Sequence, residues 1–419
     1  MTAPSTLLTS APILPGERIE SIDLIRGFAI FGILLVNMQF YNAPFTFMLL
    51  NTPWWTGTAD RIATWGIRFF AEGKFYPLLS FLFGLGMTLL MARMDLRGIS
   101  FALVYRRRLF VLLLIGIVHG VLIWAGDILV TYAVLGFFLL LFRTRRPKTV
   151  LVWAVICWLF PVLLMGLAAL FIEMGRSFPQ SAAQIDAAFT EAAVDYRTLA
   201  DKALTAYAHG TFGEMVAVRA RELALQYTGL FAYGPTIFAF FLSGMYAGRR
   251  WTSRDLPELL PHFRRGIWWM LAAAIIGNVV FATARESSSM AVPSFMSFLA
   301  VLGATVSAPA SCFLFVTAAI LVARQQAWTT RFSPLAAVGR TAISNYLFQS
   351  IVCTTLYNSY GFGLYGQVGP AAGVGITIAL FCVQLFLSRW WLERFRFGPV
   401  EWLWRSLTYR TLQPMRLGN

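Results

Sequence analysis

The feature that most constrains this chain is a recurrence: apolar stretches of membrane-spanning length, separated by short clusters of arginine. A helix crosses a bilayer core with roughly 20 apolar residues, within a range near 17–25. By that rule ten spans are read, at 24–40, 74–93, 103–124, 128–142, 149–174, 227–248, 266–284, 295–323, 335–357 and 371–392. Backbone polar groups in hydrocarbon must be satisfied within their own segment, so the spans are helices. The expected fold is an all-α polytopic bundle, a single integral membrane domain over 1–419. Composition agrees. The chain is 58% hydrophobic and 13% charged, with mean hydropathy +0.66, where soluble domains carry about 25% charged residues. A soluble surface and a disordered chain are both excluded.

The first apolar segment begins after Arg26 and lacks a clear cleavage site, so it is expected to stay as the first span and not to leave as a signal peptide. The net charge is +15, with 34 Lys+Arg against 19 Asp+Glu. Such a balance can mark a nucleic-acid partner. Here the basic residues alternate with the spans. Arg93, Arg97, Arg106, Arg107 and Arg108 precede the third, and Arg143, Arg145, Arg146 and Lys148 precede the fifth. Arg249, Arg250, Arg254, Arg264 and Arg265 precede the seventh, and Arg324 and Arg331 the ninth. Arg389, Arg394, Arg396, Arg405, Arg410 and Arg416 follow or close the last. The intervening loops are basic-poor or balanced. This pattern predicts two cytoplasmic termini, membrane lipids as partners and no nucleic acid. The expected location is the bacterial inner (cytoplasmic) membrane. Nothing sets an oligomer interface, and a homodimer stays open.

Two extracytoplasmic segments are long. Residues 41–73 include Asp60 to Phe70, whose apolar residues recur at helical spacing, an amphipathic interfacial helix. Residues 175–226 mix acidic and basic residues with alanine and leucine, which predicts two or three short helices capping the bundle. The four cysteines, Cys157, Cys312, Cys353 and Cys382, fall in apolar stretches without a CxxC pair, so they read as buried thiols. Walker A, HExxH, GxSxG and zinc spacings are absent, and no metal site is expected.

Ionisable groups inside spans are costly and therefore functional candidates. Asp23 and Arg26 are an i,i+3 pair opening the first span, either a grip for a phosphate or carboxylate or a structural ion pair. Gly27 and Gly32 allow close helix approach, and Asn37 lies deeper on the same helix. His119 is the one histidine inside a span, and Asp127 follows across a short connection, with Tyr132 a turn later. A carboxylate that holds one imidazole nitrogen leaves the other as a base; the plainer reading is a packed, hydrogen-bonded histidine. Glu72 and Lys74 line a polar entrance or anchor the chain at the interface. Arg340, Ser344, Asn345 and Gln349 fall near one another at helical spacing, as a wet inward face or as interhelical glue.

Several motifs carry a resemblance. Arg18-xx-Ser21-Ile22-Asp23-xx-Arg26-Gly27 with Val36-Asn37 resembles the opening of the YeiB-like integral membrane proteins. So do Arg107-Arg108-Leu109 leading to His119-Gly120, and Gly126-Asp127-Ile128-Leu129-xx-Tyr132-Ala133. The carboxyl end is the most specific: Gly339-Arg340-xx-Ile343-Ser344-Asn345-Tyr346-Leu347-xx-Gln349-Ser350, then Tyr360-Gly361-xx-Gly363-Leu364-Tyr365-Gly366, then Gly398-Pro399-xx-Glu401-Trp402-Leu403-Trp404-Arg405. The shared opening also resembles multi-pass acyltransferases, including heparan-glucosaminide acetyltransferase. That resemblance implies a ten-helix core that carries an acyl group from cytoplasmic acyl-CoA, acetyl-CoA among them, to an acceptor on the far side. The acceptor would be a glycan, a lipid-linked sugar or another envelope hydroxyl or amine. The acetyltransferase's histidine has no counterpart in 72–77, and Asn37 stands where others carry one late in span one. In this reading His119 is the base and Asp127 orients it. Arg26, Arg340 and Asn345 receive the CoA end, and Asp23, Asn37, Glu72, Tyr132 and Gln349 line the substrate path. The alternative is a secondary transporter of a lipid, peptide or small anion that uses the same polar residues. A third reading is a structural membrane protein.

Overall fold

The structure is a computed structural model and describes residues 20–50, 54–96, 98–251, 256–289 and 291–417. Arg18, Arg97 and Arg254 lie outside the described residues. Among those described, the chain is helical throughout and has no β-strand beyond one isolated bridge, Phe395 to Arg416. The helices are α1 (Glu20–Asn42), α2 (Phe45–Leu50), α3 (Thr58–Phe70), α4 (Phe75–Leu96), α5 (Phe101–Val118), α6 (Leu129–Leu139), α7 (Pro147–Arg176), α8 (Pro179–His209) and α9 (Phe212–Thr228). The second half comprises α10 (Leu230–Trp251), α11 (Leu256–Glu286), α12 (Phe295–Ala323), α13 (Gln326–Arg331), α14 (Ser333–Arg340), α15 (Ala342–Tyr357), α16 (Pro370–Leu392) and α17 (Pro399–Tyr409).

Among the described residues, seven helical stretches are long and apolar enough to cross a bilayer: Ser21–Asn42, Thr58–Leu96, Pro147–Arg176, Leu230–Arg250, Pro261–Glu286, Phe295–Ala323 and Pro370–Leu392. The architecture is an all-α polytopic bundle. The other three expected spans are helical but broken. Span 103–124 is α5 followed by a π-turn, His119–Ile123. Span 128–142 is α6 plus a 3₁₀ turn, Leu140–Phe142. Span 335–357 is interrupted at Thr341, which divides α14 from α15 (φ −114°, ψ 36°). Two of these breaks adjoin the polar residues described below, and π-turns inside helices concentrate at functional sites.

Small residues set the helix crossings, as expected where lipid supplies no hydrophobic drive between helices. At the α4–α10 crossing, a Cβ on Gly84 would collide with the Phe241 carbonyl, and one on Gly244 with the Phe81 carbonyl. The α1–α14 crossing repeats the device with Gly27 and Gly339. α7 stands at the periphery beside α10 and α12; its Leu151, Val152, Trp153, Leu163 and Phe171 are exposed, the apolar surface that a membrane-spanning helix turns to lipid. Cys312 and Cys353 are buried, Cys157 half-buried and Cys382 exposed, all as free thiols.

The expected amphipathic helix is α3. It packs on α11 and α16 while Ile62 and Phe70 stand 69% and 68% exposed, as an interfacial helix requires. The segment 175–226 forms two helices, within the two or three expected, but α8 is 31 residues long where short helices were expected. Arg176 pairs with Asp186 at 3.0 Å to fix the elbow between α7 and α8. α9 starts on a capping box, with Thr211 and Glu214 each bonded to the other's backbone. α8 and α9 pack on each other and cover one end of the bundle.

Candidate functional site

Under that cover lies a buried chain of four side chains. Glycine brings the segments together. A Cβ on Gly116 would meet the Val130 amide and the Asp127 carboxylate, and one on Gly120 would touch Asp127 Cβ. The loop that follows α5 can thus fold back against the helix it left. His119 Nδ1 then lies 2.8 Å from Asp127 Oδ1, while Asp127 Oδ2 accepts the Val130 amide at 2.7 Å. On its other side, His119 Nε2 lies 2.9 Å from Ser350 Oγ on α15. Ser350 Oγ is in turn 2.8 Å from Tyr41 Oη at the end of α1. His119 is 1% exposed, Tyr41 2%, and Asp127 and Ser350 are fully enclosed.

The proton positions follow from the chemistry of each atom. A carboxylate only accepts, so Nδ1 carries the ring hydrogen and Nε2 presents its lone pair. Ser350 donates to Nε2, and Tyr41 donates to Ser350. The competing bond from Ser350 back to the Tyr346 carbonyl is longer, 3.3 Å. Aromatic rings wall the imidazole: Tyr346 at 5.0 Å and Trp124 at 6.3 Å between centroids, with Trp124 packed on Tyr41 at 4.1 Å. Tyr346 Oη also donates to the Gly126 carbonyl at 3.2 Å.

The cover helix holds the same loop at three points. Arg219 Nη1 donates to the Leu122 carbonyl at 2.7 Å, inside the π-turn. Gln226 donates to the carbonyl of Asp127 at 3.1 Å. Leu223 lies against Gly120. Beside Arg219, Glu222 is buried and accepts from Tyr207 Oη at 2.6 Å. Burial pushes the Glu222 carboxyl up from 4.5 to about 7, against the opposing pull of Tyr207 and Arg219.

The expected site residues separate into groups. His119 and Asp127 meet as expected. Tyr132 does not join them; it donates to the Tyr76 carbonyl at 2.9 Å and lies 2.9 Å from Ser80 Oγ. Asn37 is half-buried on α1, one turn before Tyr41. Gln349 donates to Gln384 Oε1 at 2.8 Å, and Gln384 donates to the Asn345 carbonyl at 3.0 Å. Asn345 Nδ2 donates to Ser388 Oγ at 2.9 Å and Thr341 Oγ1 at 2.8 Å. These amides join α15 to α16. Ser344 is likewise committed, donating to Glu401 Oε2 at 2.5 Å. Glu401 caps the first turn of α15, accepting the Ile343 and Ser344 amides at 2.7 and 3.1 Å. Burial raises the Glu401 carboxyl, and the bonds from Ser344 and Ile343 oppose it.

Asp23 and Arg26 pair at 3.2 Å, and Arg26 also donates to the Gly339 carbonyl at 3.3 Å, which brings it beside Arg340. Arg340 is exposed at the end of α14. Arg26 sits about 22 Å along α1 from Tyr41, at roughly 1.5 Å per residue. Glu72 is half-buried. Lys74 is buried and donates to the Arg68 and Glu72 carbonyls at 2.6 Å each. Among the described residues no three His, Cys, Asp or Glu cluster as metal ligands.

Sequence reasoning missed Ser350, Tyr41, Arg219 and Gln226. The signal for Ser350 was present: it adjoins the polar stretch that runs down α15. Tyr41 carried none, because it lay past the expected end of the first span.

The fold and this polar core define a multi-pass helical membrane protein with a Ser–His–Asp relay enclosed near one end. The family described as "Protein of unknown function (DUF418)" matches residues 247–411. The chain is 37% identical to the uncharacterized protein YxaH of Bacillus subtilis (strain 168), over 96% of this chain and 97% of that one. It is 29% identical to the uncharacterized protein YeiB of Escherichia coli (strain K12), over 95% and 98%. The chain belongs to this YeiB-like family. No solved structure matches it.

Proposed function

We propose that this chain is a transmembrane acyltransferase that moves an acyl group from cytoplasmic acyl-CoA to a hydroxyl or amine acceptor on the far side of the membrane. One observation carries the reading: His119 is held at Nδ1 by Asp127, and its Nε2 lone pair meets a hydroxyl at 2.9 Å. That is the arrangement of a general base, and it recurs on several unrelated folds that carry out acyl transfer. In the enclosed, low-dielectric core, Asp127 offsets the charge of an imidazolium as it forms.

Arg26 and Arg340 serve the donor. Arg26 reaches the backbone of the residue before Arg340, and guanidinium groups at this end of α1 and α14 are suited to the phosphates of CoA. The acyl thioester end must then extend along α1 toward Tyr41, which suits a donor with a long flexible arm. The inner membrane of a bacterium is the expected location, with the basic loops on the cytoplasmic side.

The test is thiol release from acetyl-CoA and longer acyl-CoAs by the purified protein, with an envelope extract supplying acceptors. Wild type releases thiol, His119→Ala loses about 10²–10⁴-fold, and Arg340→Ala weakens acyl-CoA binding. Substrate flux in proteoliposomes without thiol release from any acyl-CoA would overturn the reading in favour of transport.

A further inference from the structure

The base needs a proton to take, and the structure already seats a hydroxyl on it. We infer that Ser350 is the nucleophile that carries the acyl group, so that transfer runs through a Ser350 ester and not directly from donor to acceptor. The inference rests on the acyltransferase reading and deepens it.

Four features single out Ser350. Its Oγ lies within hydrogen-bond reach of His119 Nε2, at 2.9 Å, the distance required between nucleophile and base. The base is oriented by a third group, Asp127, at 2.8 Å. The other ring nitrogen is taken by that carboxylate, so Nε2 is the one position from which His119 can act as a base, and Ser350 occupies it. Finally, Tyr41 donates to Ser350 Oγ at 2.8 Å, which turns the serine hydrogen toward Nε2 and away from the Tyr346 carbonyl. A serine retained only to satisfy its own helix needs none of these. Thr354, one turn on, shows that simpler state: its hydroxyl donates to the Ser350 carbonyl at 2.7 Å.

The chemistry balances. In the first half, Ser350 Oγ attacks the thioester carbonyl, His119 Nε2 takes the hydroxyl proton, the C–S bond breaks, and the proton passes to the leaving sulfur to give CoA thiol. In the second half, the acceptor hydroxyl or amine gives its proton to Nε2 as it attacks the ester carbonyl. The bond to Oγ breaks, and Nε2 returns the proton to Ser350. No oxidant or reductant is needed. Tyr41 is a positioning residue, since it fixes the serine rotamer without touching the transferred group.

The experiment is trapping with radiolabelled acetyl-CoA. Detergent-purified wild type is mixed with the donor in the absence of acceptor, quenched in acid and digested. The label is expected as a hydroxylamine-sensitive ester on the peptide that contains Ser350. Ser350→Ala should lose the label and at least about 10³-fold in thiol release. Ser350→Cys, which keeps the side-chain shape if alanine fails to fold, should trap the label as a thioester. Tyr41→Phe should slow the rate of labelling while leaving its site unchanged. Thiol release that continues in a folded Ser350→Ala protein, with no labelled peptide in wild type, would overturn the covalent route and leave the acyltransferase reading standing. Absence of thiol release from wild type overturns both.

Discussion

At the scale of single residues, the useful distinction is between polar groups that are committed and polar groups that are poised. Gln349 donates to Gln384 across α15 and α16, Gln384 donates to the Asn345 carbonyl, and Asn345 spends its donors on Ser388 and Thr341, while Gln349 Oε1 is buried without a hydrogen-bond partner among the described residues. Interhelical bonds of this kind are worth about 0.6–2 kcal/mol in a membrane. Gln349→Leu is therefore expected to lower thermal stability by that amount, read from a melting curve, and to leave the rate of thiol release unchanged. A large loss of rate with an unchanged melt would show that Gln349 touches substrate. His119 is different, because its Nε2 meets the Ser350 hydroxyl at 2.9 Å. The sequence showed both kinds of residue but could not sort them. Helical spacing places Gln349 and Ser350 on neighbouring sides of one helix, and only the packing decides which of them meets the base. Ser350 was legible as part of a polar stretch and His119 as a candidate base, but their meeting across 231 residues was not.

At the scale of elements, the cover made by α8 and α9 controls the site. Arg219 and Gln226 hold the loop from Leu122 to Asp127, so unseating α9 would release the geometry of His119. Glu222 gives this cover a pH dependence. Its folded value of about 7 lies above the ordinary 4.5, so the folded state holds more protons between those values. Stability of the α8–α9 cover is then full below pH about 4.5 and falls as the pH rises through about 7. Hydrogen exchange in α9, corrected for intrinsic rate, should speed up between pH 5 and 8, and Glu222→Gln should flatten that rise. An equal rise in the glutamine variant would place the effect elsewhere. The glycine crossings make a harsher prediction. Gly84→Leu drives a side chain into the α10 backbone at Phe241, and the expected outcome is loss of folded protein on size-exclusion chromatography in detergent. Most elements were readable from apolar length alone. The breaks at His119 and Thr341 were not, because neither falls at a proline that would announce it.

At the scale of the whole molecule, Arg26 and the relay lie toward opposite ends of α1, about 22 Å apart. That separation suits a reaction whose donor and acceptor come from opposite sides of a membrane. It predicts an orientation. A cysteine placed in the basic loop 143–148 should react with an impermeant thiol reagent only from the cytoplasmic face, and one placed in α8 only from the outside. The reverse result would put the relay on the donor side and remove the reason for a long donor arm. The helical class and the family were visible from the first apolar segments and the carboxyl-terminal motif, because both are local. The site joins α1, the α5–α6 loop and α15, three segments distant in sequence, and local patterns do not report such meetings.

The central claim is that the buried relay is a working base and not interhelical packing. Asp127→Asn tests it most directly, since the amide keeps the size of the carboxylate but no longer fixes the lone pair at Nε2. The measurement is the rate of thiol release from acyl-CoA beside a melting curve on the same preparation. The expected result is a loss of about 10⁴-fold with the melt nearly unchanged. An Asp127→Asn protein that turns over as fast as wild type would contradict it.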